Sequence, residues 1–119
     1  MQPAIIPPLY HTRNDTWEGL EIGPVLFDTG PPPFELVSCR LYFKNKAKVL
    51  YKLKSDPGVG EGTINIVDPI TWEIVVPKQD LPLMAGGWAW DFETTDSEGT
   101  ILTIYQGTMI VEEDITHDD

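Results

Sequence analysis

Apolar and polar residues alternate along most of the chain between residues 16 and 111, the period-two pattern of strands with one buried face. In LVSCRLYF (36–43), Val37, Cys39, Leu41 and Phe43 fall on one side, and Ser38, Arg40 and Tyr42 on the other. KVLYKLK (48–54) repeats the pattern with Val49, Tyr51 and Leu53. TINIV (63–67) and TWEIVV (71–76), joined by an Asp68-Pro69 turn, put Ile64, Ile66, Trp72, Ile74 and Val76 on one face. Further on, Trp88, Trp90 and Phe92 alternate with Ala89, Asp91 and Glu93. TDSEG reads as a hairpin connection to TILTIYQGTMIV (100–111), in which Gly107 marks a bulge or a close contact. Earlier, TWEGLEIGPVLF (16–27) gives a strand with Leu20 and Ile22 on one face and a break or bulge at Gly23-Pro24. About seven strands and no long helix predict an all-β antiparallel sandwich.

Between these strands the chain is punctuated rather than periodic. DTGPPPF (28–34) is a rigid loop and SDPGVGEG (55–62) a flexible one. PKQDLPLMAGG (77–87) is expected to make one helical or 3₁₀ turn that drops Leu81, with Leu83 or Met84, into the core. Residues 1–14 read as an extended Pro-rich arm fixed by Pro3, Pro7 and Pro8, ahead of a domain over 15–112 and an acidic tail over 113–119. Ile5, Ile6, Leu9 and Tyr10 are too apolar for a solvated arm, so they are the candidate assembly contact, against a neighbour or against the chain's own sandwich.

The aromatic run admits two readings, a platform for a sugar ring or a wall of the core. Acidic residues on the alternate positions mark a half-buried strand, and a domain of 119 residues needs that bulk inside. The aromatics are therefore assigned to the core.

Composition narrows the partners. Nineteen acidic residues against eight basic ones give a net charge of −11, which repels phosphate backbones and anionic membranes, so neither nucleic acid nor membrane is expected as a partner. The acids concentrate after residue 90, while the bases gather in KNKAKVLYKLK (44–54). That asymmetry reads as solvated surface, with attraction between copies as the alternative. A single cysteine, Cys39, excludes an intrachain disulfide and fits synthesis in a reducing compartment. The N-terminal stretch lacks the basic start and apolar run of a signal peptide.

Candidate chemistry is sparse. His11 and His117 both lie in terminal segments, where a catalytic triad would lack a scaffold. Asp114, His117, Asp118 and Asp119 could hold a metal but read as an acidic tail. Asp56 and Glu61 lack the spacing of a calcium loop. Asp91, Glu93, Asp96 and Glu98 make the last hairpin's outer face acidic, without the sugar-binding aromatics of a glycosidase cleft. Cys39 alternates with core residues and reads as a buried thiol. GVGEG lacks the Lys and following helix of a phosphate loop. No catalytic residue, cofactor or metal is expected, and the chain is not read as an enzyme.

The order of features carries a resemblance. Leu83-Met84-Ala85-Gly86, Trp88-Ala89-Trp90-Asp91-Phe92, Gly99, Gly107, Val111 and Asp114-Ile115-Thr116 follow the pattern of a buried-Leu turn, an AGxYxYDL-like strand, a Gly hairpin and a last strand ending in DIT. Over residues 16–116 this resembles the immunoglobulin-like β-sandwich modules of tailed-phage tail and baseplate proteins, including baseplate upper proteins. The chain departs from that pattern in its Pro-rich arm and in Trp72, where a Gly-containing turn is common. The resemblance implies an immunoglobulin-like sandwich in a structural protein of the virion, made in the host cytoplasm. It further implies action through contacts with other virion proteins, copies of the same chain among them. A carbohydrate-binding or adhesion module of similar fold is the alternative, but a lectin face needs two or three outward rings and Tyr42 supplies one.

Overall fold

The computed structural model describes residues 3–46 and 48–113. Twelve strand segments and no helix appear among them, and seven of those segments are four residues or longer. The protein is an all-β, mostly antiparallel sandwich. Its larger sheet is built on β5 (Leu36–Asn45), β6 (Lys48–Lys54), β11 (Gly86–Asp96) and β12 (Ile101–Glu112). The order β12-β11-β5-β6 is antiparallel throughout, and β7 (Gly62–Thr63) adds in parallel beyond β6. Facing it is a sheet of β4 (Leu20–Ile22), β9 (Glu73–Val76) and β8 (Asn65–Asp68), in that order. A third, two-stranded piece joins β3 (Thr16–Trp17) to β10 (Gln79–Asp80).

The alternation of the sequence becomes the core. Trp88, Trp90 and Phe92 are buried, as are Leu41, Phe43, Leu53, Ile64, Trp72, Ile74 and Val76, and Ile66 packs half-buried against them. Trp17 meets Phe43 edge-on with ring centroids 6.3 Å apart, and Phe27 meets Trp72 at 5.2 Å. Such T-shaped contacts bring the positive edge of one ring to the negative face of another. Met109 and Val111 of β12 complete the floor.

Several expectations are corrected by register. Val37 points outward at 59% exposure, and Leu36 takes the inward place. The cause is a bulge: Thr95 pairs with Ser38 but Asp96 pairs with Leu36, so Val37 is the extra residue and the alternation slips by one. The stretch 16–27 is not one strand but two, β3 and β4, lying in different sheets. Gly23 stands at φ +90, and a Cβ there would sit 2.2 Å from the Trp72 carbonyl oxygen, so only glycine fits. Residues 77–87 make no helical turn. Gln79 and Asp80 pair with Trp17 and Thr16, while Leu81 and Leu83 are buried and Met84 is exposed. Gly86-Gly87 opens β11 rather than ending a turn.

Trp72 is the least expected element. It is the last residue of the turn between β8 and β9, where Asp68 Oδ1 accepts from the Ile70 amide at 2.9 Å. Its φ of +60 is the left-handed conformation in which such a loop favours glycine. The side chain is nevertheless 1% exposed, and its indole N–H donates to the Phe34 carbonyl at 2.9 Å.

Candidate interaction surface

The Pro-rich arm is part of the sheet. Ala4–Ile5 (β1) and Leu9–Thr12 (β2) both pair in parallel with β12, Ala4 opposite Tyr105 and Leu9 opposite Met109. Pro7 and Pro8 fall in the gap between the two segments, where no ladder donor is required. The Ile6 amide donates to the Gln106 carbonyl at 2.9 Å and the Arg13 amide to that of Glu112 at 2.7 Å, so backbone bonds hold the arm along its length.

Pairing sorts the four candidate contact residues. Ile6 and Leu9 are half-buried against the core, and His11 lies inward beside them. Ile5 and Tyr10 turn outward, 77% and 68% exposed. Their register partners on β12 are Gln106 and Ile110, and Ile110 is itself exposed. The outer face of the sheet thus exposes Tyr10 beside Ile110 and, farther along β12, Ile5 beside Gln106. Sequence reasoning missed Ile110, because its role appears only when β2 is set beside β12.

Elsewhere, charged groups are occupied in holding strands together. Asp91 takes Lys44 at 2.6 Å, and Arg40 Nε donates to Glu93 Oε1 at 2.6 Å, both between β11 and β5. Asp96 does not join this outer face. It is 7% exposed, and its Oδ1 accepts from the Glu98 and Thr100 amides at 2.9 and 3.0 Å, closing the β11–β12 hairpin. Glu61 accepts from the Gly58 amide at 2.7 Å and meets Lys54 at 3.2 Å, which holds its carboxyl below the usual range. Tyr42 lies between Arg40 and Lys52, 5.7 and 5.3 Å from its ring centre. Burial pushes the Cys39 thiol up to about 12, far from the thiolate a nucleophile requires. Among the described residues no three His, Cys, Asp or Glu side chains come together as metal ligands would. The tail candidates Asp114, His117, Asp118 and Asp119 lie outside the described residues.

No family model matches the chain, and no curated protein matches it. Among solved structures, CopC from Methylosinus trichosporium OB3b is similar with a TM-score of 0.46 and 10% identity, over 93% of this chain and 88% of that one. A likeness at that level carries no argument about function.

Proposed function

We propose that this chain is a structural protein of a tailed-phage particle, working by protein–protein contact in the tail, baseplate or fibre-attachment region. The exposed side chains of Ile5, Tyr10 and Ile110 carry the reading. Apolar side chains fixed on paired strands lose little entropy when a partner covers them, which favours a persistent contact. At about 25 cal/mol per Å², covering three such side chains contributes several kcal/mol before association costs. The resemblance to virion sandwich modules supports the setting, and the acidic surface suits an assembly partner better than a phosphate backbone.

Aspartate at both Ile5 and Tyr10 tests this, since neither side chain is buried in the domain. The double variant should keep its melting temperature and lose incorporation into particles. Incorporation at the normal level would refute the proposal.

A further inference from the structure

A groove runs along the open side of the sandwich, between the arm and β4. One cleft, of about 210 Å³, is lined by Ile6, Leu20, Ile22, Trp90 and Tyr105, with Glu21 at its rim. A second, of about 390 Å³, adjoins it at Leu20 and includes Leu9, His11, Asp15 and Trp17 in its walls.

Three further observations bear on what enters. First, β4 pairs with β9 alone, so its other edge meets no strand among the described residues and keeps backbone groups free. Second, each cleft has in its wall a buried ring nitrogen without a partner: Trp90 Nε1 in one and His11 Nε2 in the other. Trp90 is 4% exposed and His11 6%, and neither nitrogen has a protein partner. An unsatisfied buried polar group is costly and marks a place that an occupant completes. Indole N–H needs an acceptor, and an imidazole held neutral by burial offers one lone pair to a donor. A peptide backbone brings both. Third, Asp15, Glu18 and Glu21 stand along the groove, and neither Asp15 nor Glu21 has an ion-pair partner among the described residues.

We propose that this groove receives an extended basic segment of another protein, which adds a strand to the free edge of β4 and sets alternate apolar side chains into the two clefts. Backbone pairing at the edge gives affinity, the clefts select every second side chain, and the carboxylates select lysine or arginine between them. Tyr10 lines the second cleft as well, but Ile5 and Ile110 line neither, so Ile5 and Ile110 report on the outer surface and Glu21 and Trp90 on the groove.

The experiment uses isotope-labelled protein and a capped heptapeptide, Lys-Val-Lys-Val-Lys-Val-Lys, with its Glu-for-Lys counterpart as control. The lysine peptide should give saturable NMR shifts at the Trp90 indole N–H and at the amides of residues 20–22, and the glutamate peptide none. Glu21→Lys, at an exposed position, should weaken the lysine peptide about fivefold, the scale of one surface charge contact. Absence of saturable shifts with the lysine peptide, equal response to both peptides, or shifts gathered at Ile5 and Ile110 rather than at residues 20–22 would each overturn the proposal.

Discussion

Replacing Trp72 separates the worth of its side chain from the strain of its backbone. The indole is 1% exposed, packs edge-on against Phe27 and donates to the Phe34 carbonyl. Truncating such a residue costs about 3–5 kcal/mol. The backbone at φ +60 costs an L-residue roughly 1–2 kcal/mol, and alanine keeps that cost while glycine removes it. In regular strand, glycine is the poorer choice by about 0.5–1 kcal/mol. At position 72 the order should invert, with Trp72→Gly about 1 kcal/mol more stable than Trp72→Ala and both well below the parent. Urea unfolding followed by circular dichroism measures this, with an excluded osmolyte present if the variants are too unstable for a native baseline. An alanine variant as stable as the glycine variant, at equal m-values, would refute the left-handed assignment.

Gly107 lies under Trp90, and a Cβ there would come within 3.0 Å of the indole ring and 3.1 Å of the Ile6 carbonyl oxygen. Gly107→Val should cost about 1–3 kcal/mol through overpacking and speed amide exchange at Ile6 as the arm lifts; unchanged exchange would contradict the close approach. Burial holds the His11 pKa below its ordinary 6.5, against the opposing pull of Asp15. Its neutral form is therefore the one the folded state prefers, so its contribution is present above about pH 6.5 and is lost as pH falls through the depressed folded value. His11→Gln should flatten that part of the stability profile in denaturant titrations between neutral and mildly acidic pH, and an unchanged slope would count against it.

The long strands were legible because each has a buried and a solvated face. Trp88, Trp90 and Phe92 repeat every two residues, and only a half-buried strand requires that spacing. A bulge, by contrast, leaves no mark in the pattern of one strand. Val37 looked inward because the slip that turns it out depends on its pairing with β11. The arm was legible as apolar but not as a strand, since Pro7 and Pro8 break its alternation and its ladder comes from residues a hundred positions away. Asp96 was read as surface because an acid in a hairpin is ordinarily solvated, whereas here two amides bind it inside the turn. Of the candidate surface, Ile5 and Tyr10 were visible in the sequence, but Ile110 became visible only through parallel register, and the groove only through the packing of the two sheets.

The proposed role is tested most directly on tailed-phage particles purified from lysates in which this chain is expressed, by a cryo-electron microscopy map with the protein content read by mass spectrometry. The sandwich is expected in the tail, baseplate or fibre-attachment region, with the exposed Ile5, Tyr10 and Ile110 covered by a neighbouring protein. Particles that lack the chain, or a map in which those side chains face solvent on every copy, would contradict that role.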